Sequence, residues 1–209
     1  MLIRSIEQTS SGVYKLTPDT GSAFFLRTAY LSQLDEASLQ SAPRSFTETE
    51  SEELLTAALA YSAECAAMAY LGRAEHCRAS LCAKLLKKGV ERQAATAAMD
   101  YLESIGYIDD RRFAGAWLRS RAIDHTEGRI RLRAELAARG IGSRTAEAAL
   151  DEFFGDRDEQ ELCLRAYRKF AKSKGDPLKI RAALLRAGFS PRLIRRCASP
   201  SSAADISGV

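Results

Sequence analysis

The chain has 209 residues, enough for a sizeable core, and its hydrophobic fraction of 46% is ordinary for a soluble globular protein. No uninterrupted apolar run approaches the roughly 18 to 20 residues that span a bilayer, and residues 1–13 lack the apolar core of a signal peptide. We therefore expect a cytoplasmic protein without membrane association. The net charge of +4 is uneven, with 10 Lys and Arg against 15 Asp and Glu in residues 1–110 and 21 against 12 in residues 111–209. The basic C-terminal half predicts an acidic partner, either nucleic acid or the acidic face of a protein.

The first 45 residues predict a small β-containing region. Short alternating or aromatic segments, which are typical of strands, occupy residues 2–7, 12–16 and 22–27. A short helical segment is expected around Tyr30 to Leu39. The polar residues 41–53 then resemble a linker, and Thr49 with Glu52 three residues later predicts a capping box for the first long helix.

From Leu54 onward the pattern is helical, and three of the glycines that interrupt it recur at regular intervals. Gly89, Gly140 and Gly188 are separated by 51 and 48 residues. Each has a leucine four residues before it and an apolar residue directly after it: Leu85 and Val90, Leu136 and Ile141, Leu184 and Phe189. This pattern predicts that each glycine ends a helix with a positive φ angle, while the next residue folds back onto that helix.

The glycine spacing predicts a mainly α fold of three tandem three-helix repeats, elongated and curved, behind the small N-terminal β-containing segment. The expected divisions are residues 1–45, then repeats at 46–108, 109–155 and 156–199, then a disordered tail at 200–209. Ser143, and Ser190 followed by Pro191, are expected to begin the last helices of the second and third repeats.

The five cysteines are odd in number, include no Cys-x-x-Cys pair and lie at helix-like positions among apolar residues. They are Cys65, Cys77, Cys82, Cys163 and Cys197. Their pattern favours buried, reduced thiols over disulfides or a zinc site.

Adjacent carboxylates, Asp109 and Asp110, are the strongest candidate for catalytic or metal chemistry. Such a pair can bind a divalent cation or transfer protons, but either task needs companion groups, and the sequence places none beside it. Capping is the better interpretation, with Asp109 as the N-cap residue and Asp110 in the first turn of a helix. We therefore expect no catalytic residues, no metal, no cofactor and no enzyme activity.

Basic residues are the candidates for binding a partner. They are Lys84, Lys88, Arg119, Arg121, Arg129, Arg131, Arg133 and Arg139. Arginine dominates, which favours bidentate contacts with carboxylate or phosphate. Phe113 and Trp117, one helical turn apart, are interpreted as core residues.

Three segments together resemble the RecX family of bacterial proteins that regulate the RecA recombinase. They read "RAEHCRASLCAKLLKKGV", "LESIGYIDDRRFAGAWLRSR" and "GRIRLRAELAARGI". The resemblance covers roughly residues 54–198. Its most specific part is the turn Gly106-Tyr107-Ile108-Asp109-Asp110 followed by Phe113-Ala114, and the glycines Gly89, Gly140 and Gly188 belong to the same pattern as structural joints. Cys77 stands where the family usually has serine, which weakens the cap of the helix that follows.

The resemblance implies a non-enzymatic regulator whose tandem repeats bind the RecA filament on DNA, and we expect this regulator to be a monomer. Such a regulator inhibits ATP hydrolysis and strand exchange, and so affects DNA repair, recombination and the SOS response. The alternative left open by the residues is a protein that binds single- or double-stranded DNA directly through basic repeats similar to helix-turn-helix modules.

Overall fold

The computed structural model describes residues 1–155 and 157–198. The chain divides into two compact units, Met1–Asp109 and Asp110–Val209, which we call unit 1 and unit 2. The tail at residues 200–209 and the end of the third predicted repeat lie outside the described residues.

Unit 1 begins with a four-stranded antiparallel sheet in the order β3-β2-β1-β4. Its strands are β1 (Leu2–Ser10), β2 (Val13–Pro18), β3 (Phe24–Arg27) and β4 (Arg44–Ser45). Strands alternate in the direction of their side chains, so one face of the sheet buries Ile3, Leu16 and Leu26 completely. The three predicted strands are confirmed, and β4 is an addition.

Two expectations for residues 30–53 are wrong. Two short 3-10 turns, Thr28–Tyr30 and Glu36–Leu39, replace the expected helical segment, and the expected linker holds β4 and the start of a long helix. That helix, α1 (Glu48–Leu71), has its capping box two residues earlier than predicted: Thr47 Oγ1 accepts from Glu50 N, and Glu50 Oε2 accepts from Thr47 N.

Among the residues that the structure describes, α1 alone is long and apolar enough to cross a membrane by length and composition. The helix is not an uninterrupted apolar run, because Glu64 lies within it. The Glu64 carboxylate accepts hydrogen bonds from Arg27 Nε at 2.8 Å, Arg27 Nη2 at 2.6 Å and the Tyr30 hydroxyl at 2.9 Å. The Arg27 guanidinium also lies 4.8 Å from the centre of the Tyr101 ring. This ion pair therefore joins strand β3 to helix α1 within unit 1.

Two further helices complete unit 1: α2 (Arg78–Lys87) and α3 (Arg92–Ser104). Together with the C-terminal half of α1 they enclose a core that includes Ala67, Leu81, Leu85, Met99 and Leu102. Cys77 is the N-cap residue of α2 and makes no side-chain cap hydrogen bond, as expected for a cysteine in place of a serine.

Unit 2 contains two further groups of three helices in its described residues. They are α4 (Asp110–Asp124), α5 (Arg129–Ala138), α6 (Ser143–Gly155), α7 (Glu159–Lys174), α8 (Pro177–Arg186) and α9 (Pro191–Ala198). Helix α4 packs against α6, and α7 packs against α8 and α9. The expected caps hold for α9, where Ser190 Oγ accepts from Leu193 N at 3.2 Å, whereas α6 begins at Ser143 itself, after Gly142.

The glycine joints form as predicted. The φ angles of Gly89, Gly140 and Gly188 are 85°, 82° and 89°. The residue after each glycine donates its N–H to the carbonyl of the leucine four residues before that glycine, at 3.1, 3.1 and 3.2 Å, the pattern of a Schellman motif. Gly106 ends α3 in the same way, with φ of 77° and a 2.9 Å bond from Tyr107 N to Leu102 O.

The start of α5 adjoins the end of α8. Gly128 N donates to Ala187 O at 2.8 Å, and Ile130 N donates to Gly188 O at 3.2 Å. The free N–H groups of one helix therefore satisfy the free carbonyls of another, with the two helix dipoles aligned favourably. This contact links the second and third groups of helices.

None of the five cysteines, all of which lie within the described residues, forms a disulfide bond. Cys77, Cys163 and Cys197 are buried, and Cys82 is half-buried. Cys65 is exposed, so the expectation that all five are buried is wrong for that residue.

Candidate functional site

In unit 1 the predicted binding residues Lys84 and Lys88 both contact the ring of Tyr70. Their ammonium nitrogens are 5.0 and 4.8 Å from the centre of its ring, within the range of cation–π attraction. Lys84 Nζ is also 3.3 Å from His76 Nε2. Burial and then the charge of Lys84 lower the pKa of His76, so this histidine stays neutral at pH 7.

In unit 2 most of the predicted binding arginines form ion pairs within the unit. Arg129 contacts Glu147 at 2.7 Å and Asp151 at 2.5 Å, and Arg133 contacts the same Glu147 at 3.0 Å. Hydrogen bonds from these two arginines lower the pKa of Glu147. The pairs hold α5 against α6, so they have a structural task whether or not a partner is present.

Glu127, in the loop between α4 and α5, binds two more of the predicted residues. Arg121 donates Nε and Nη2 to its two carboxylate oxygens at 2.8 and 3.0 Å. Arg131 Nε lies 2.7 Å from Glu127 Oε1 but is not directed at that oxygen and has no hydrogen-bond acceptor. Burial raises the pKa of Glu127, but the hydrogen bonds and charge of Arg121 and the charge of Arg131 outweigh it and lower that pKa overall.

Trp117 is half-buried, and two of the predicted arginines lie near its ring. The guanidinium carbons of Arg139 and Arg121 lie 4.4 and 5.9 Å from its ring centre, and Arg139 also pairs with Glu135 at 2.8 Å.

Arg119 differs from the other predicted arginines: it is exposed and makes no ion pair in the part of the chain that the structure describes.

The motif around Asp109 and Asp110 lies where α4 starts. The helix begins at Asp110, so Asp109 stands at the position expected for a cap and Asp110 in the first turn. Ile108 and Ala114 are buried, Phe113 is half-buried, and Tyr107 is half-exposed. Within the described ranges, no group of three or more His, Cys, Asp or Glu side chains is placed to hold a metal ion.

Two cavities lined partly by the α4–α5 loop were missed by sequence reasoning. The smaller, of about 220 Å³, and the larger, of about 450 Å³, share Arg121, His125 and Glu127. We call them together the basic groove. Its seven cationic side chains face one carboxylate, Glu127; they are Arg119, Arg121, Arg131, Arg157, Arg165, Lys169 and Arg186.

Further basic side chains of α7 lie beyond those that line the basic groove. Arg165, Arg168, Lys169 and Lys172 are all exposed, and their spacing of three, four and seven residues from Arg165 places them on one face of the helix. That spacing is a signal that could have been found in the sequence.

Comparison with known proteins assigns the chain to a family. Two family models match it, described as the first three-helix domain of RecX over residues 66–102 and the second three-helix domain of RecX over residues 109–150. The regulatory protein RecX of Treponema pallidum strain Nichols is 41% identical over 137 residues, which cover 66% of this chain and 84% of that protein. The chain belongs to the RecX family.

Other RecX proteins give consistent results. That of Xanthomonas citri is 41% identical over 132 residues, 62% of this chain and 81% of the relative. A crystal structure of regulatory protein RecX superposes with a TM-score of 0.73 at 21% identity over 94% of this chain and all of that one. RecX from Lactobacillus salivarius gives a TM-score of 0.59 at 22% identity over 66% of this chain and 94% of that one. Both structures share its fold.

The RecX domain models do not extend over all of the basic groove. The second model ends at residue 150, so Arg157, Arg165, Lys169 and Arg186 lie beyond it. The first and second three-helix groups of this RecX family member therefore carry the matched pattern. Four of the cationic side chains that line the basic groove, all without an ion pair among the described residues, come after that pattern in the chain.

Proposed function

We propose that this chain binds the filament that the RecA recombinase forms on DNA and inhibits its ATP hydrolysis and strand exchange. It would thereby modulate DNA repair, recombination and the SOS response in the cytoplasm, as a monomeric binding protein and without catalysis. Its membership in a family of regulatory proteins supports the regulatory role.

The observation that carries the proposal is the recurrence of one helix-ending joint at Gly89, Gly140 and Gly188, with the same hydrogen bond each time. A filament presents the same surface again and again, and a chain of similar helical units can make several similar contacts with it. Linked contacts of this kind give high affinity even when each is weak.

Among the arginines predicted to bind the partner, Arg119 is the best placed to do so without disturbing the fold. It is exposed, and within the described part of the chain no carboxylate must be given up before it can pair with one from a partner. Arg129 and Arg133, by contrast, already hold Glu147. We therefore assign Arg119 to the binding surface as part of the proposal.

The test is to titrate the full-length chain into RecA filaments on single-stranded DNA and measure ATP hydrolysis. We expect inhibition that rises with concentration. Arg119→Glu should weaken it several-fold, while Arg92→Glu, the same charge reversal at an exposed residue of α3 outside the predicted set, should leave it unchanged. If the unaltered chain does not inhibit, the proposed function is wrong, and equal losses in both variants would remove Arg119 from the binding surface.

A further inference from the structure

Two buried cysteines of unit 2 lie together between its helices. Cys163 belongs to α7 and Cys197 to α9. Both are members of one buried cluster, which also holds Phe189 and Ile194, and they are 0% and 4% exposed. The packing of α9 on α7 therefore brings two thiols that are far apart in the chain into one core.

The two thiols are in direct contact. Burial and a hydrogen bond with the Cys197 thiol raise the pKa of Cys163. The Cys197 thiol in turn donates to Gln160 O at 3.8 Å, and Gln160 lies about one turn before Cys163 on α7. Cys197 therefore packs against that turn of α7, with its sulfur beside the sulfur of Cys163. Only a small shift of α9 is needed to bring the two sulfurs to the disulfide bond length of about 2.05 Å.

The packed arrangement protects both thiols from oxidants. The thiolate rather than the thiol is the reactive form, and Cys163 is held as the thiol because burial disfavours its charged form. An oxidant in solution also cannot reach two sulfurs that the core encloses. Oxidation of this pair therefore requires α9 to move away from α7.

Helix α9 is well suited to such a movement. It has eight residues and is the last helix in the described part of the chain. Short elements near the end of a fold open locally at a lower free energy than its central helices do. Local opening of α9 therefore exposes Cys197 without unfolding the rest of unit 2.

We propose that hydrogen peroxide oxidises Cys163 and Cys197 to a disulfide, which holds α9 on α7 until a thiol reductant breaks it. While α9 is open, the Cys197 thiolate attacks one oxygen of the peroxide. The O–O bond breaks, the sulfur becomes a sulfenic acid, and the second oxygen leaves as hydroxide and takes up a proton to form water.

The second step follows when α9 closes. The Cys163 sulfur attacks the sulfenic acid sulfur of Cys197, the S–O bond breaks, and the oxygen leaves as hydroxide. It takes the proton of the Cys163 thiol and forms a second water, so the two thiols lose two electrons and the peroxide gains them. A thiol reductant reverses the reaction by thiol–disulfide exchange. This inference goes beyond the proposed function, because the bond forms within unit 2 and needs no partner.

The experiment treats the full-length chain with hydrogen peroxide, alkylates the remaining thiols after denaturation and maps the tryptic peptides by mass spectrometry. We expect one dominant cross-link, between residues 158–165 and residues 197–209, which are the tryptic peptides that carry Cys163 and Cys197. Dithiothreitol should abolish it. The chain is used with Cys65→Ser as well as unaltered, because the exposed thiol of Cys65 can otherwise join two copies of the chain.

Two variants test the assigned roles. In Cys163→Ala the sulfenic acid formed at Cys197 meets no second thiol, so dimedone should label Cys197 and no cross-link should form. The matched control is Cys82→Ala, which removes a half-buried thiol of unit 1 and should cross-link as the unaltered chain does.

A third variant tests the opening of α9. The Ile194 side chain is 3% exposed and packs in the same cluster as the two cysteines. Ile194→Ala weakens the packing of α9, so the cross-link should form about tenfold faster or more. Urea at concentrations below the unfolding transition should accelerate it in the unaltered chain as well, which provides the same measurement if Ile194→Ala does not fold. The cross-linked chain should melt about 5–15 °C above the reduced chain when unit 2 is followed by the fluorescence of Trp117.

Four results would overturn the inference. The first two are no cross-link between Cys163 and Cys197, and cross-links distributed evenly among the cysteines. The third is a cross-linking rate that neither Ile194→Ala nor urea increases, because oxidation would then not require α9 to open. The fourth is a cross-linked chain that melts no higher than the reduced one, because the bond would then not hold α9 on α7.

Discussion

Replacing Gly128 with alanine should destabilise unit 2 far more than a glycine-to-alanine change normally does. A Cβ atom at this position would lie 2.6 Å from the carbonyl carbon of Gly188 and 2.7 Å from Phe189 N. These are backbone atoms and cannot rotate away, so α5 and the end of α8 must separate by roughly 1 Å to reach ordinary van der Waals contact. That movement breaks the hydrogen bonds from Gly128 N to Ala187 O and from Ile130 N to Gly188 O.

The size of the effect follows from those two bonds. A lost backbone hydrogen bond that leaves buried groups unsatisfied costs about 1–3 kcal/mol, so we expect the free energy of unfolding of unit 2 to fall by about 3–5 kcal/mol. Trp117 is the one tryptophan of the chain and lies in unit 2. Its fluorescence during urea unfolding therefore measures this unit, and hydrogen exchange at Ile130 N reports on the broken contact itself.

Two other glycines distinguish the steric clash at Gly128 from two other costs of replacing a glycine: loss of a residue favoured before a helix, and backbone strain at a positive φ angle. Gly142 also precedes a helix, has no positive φ angle and has open space where a Cβ would go, so Gly142→Ala should cost less than about 1 kcal/mol. Gly89 has open space but a φ of 85°, so Gly89→Ala should cost about 1–2 kcal/mol, in unit 1, from backbone strain alone. If Gly128→Ala is no more destabilising than Gly142→Ala, the close approach of α5 and α8 does not stabilise unit 2 as we argue.

Three further predictions concern ion pairs. Arg27→Leu should destabilise unit 1 by about 3–5 kcal/mol because it leaves the buried Glu64 carboxylate without its charged partner, and Arg27→Leu/Glu64→Leu should recover much of that loss in a double-mutant cycle of urea unfolding. The folded-state pKa of Glu127 is lowered from 4.5, so its contribution to the free energy of unfolding is present above about pH 4.5 and is lost as the pH falls through the folded-state value. In unfolding measured from pH 7 to pH 3, Glu127→Gln should therefore lose less stability on acidification than the unaltered chain does. Arg129→Glu should lower the stability of unit 2 by about 1–2 kcal/mol, because it sets a third carboxylate beside two others, whereas Arg119→Glu should leave the melting temperature unchanged.

The joints were predictable from sequence because their causes are local. A glycine that ends a helix needs a positive φ angle, and the apolar residue after it needs the leucine five positions earlier; both requirements are visible in a short window. The same logic explains Gly106, which ends α3 through Tyr107 and Leu102 in the same geometry.

Features that depend on distant residues were not predictable in this way. Strand β4 has two residues and exists because Leu2 and Ile3 of β1 pair with them, so its own sequence carries no strand signal. The capping box was misplaced because Thr47 with Glu50 and Thr49 with Glu52 have the same spacing. The choice between them depends on where the chain leaves β4.

At the candidate site, too, the partners of the arginines could not be predicted from the sequence, because they depend on distant residues. Their number and positions were visible in the sequence, but the partner of Arg133 is Glu147, fourteen residues away, and the pairing depends on how α5 packs against α6. The basic residues of α7 carried a helical spacing that could have been noticed. Their association with Arg119 in one groove depends on the packing of α4 against later helices and could not be read from spacing.

The positive charge of unit 2 therefore falls into two classes with different consequences for a partner. An arginine such as Arg129 can bind a new anion only by releasing Glu147 and Asp151, so the gain from the new contact is offset by the loss of the old ones. Lys169 meets no such cost, because it has no ion pair in the described residues. Binding energy at this surface should therefore come mainly from the cationic residues that have no ion pair in the described residues. The dependence of the binding affinity on salt concentration should reflect the number of those residues alone.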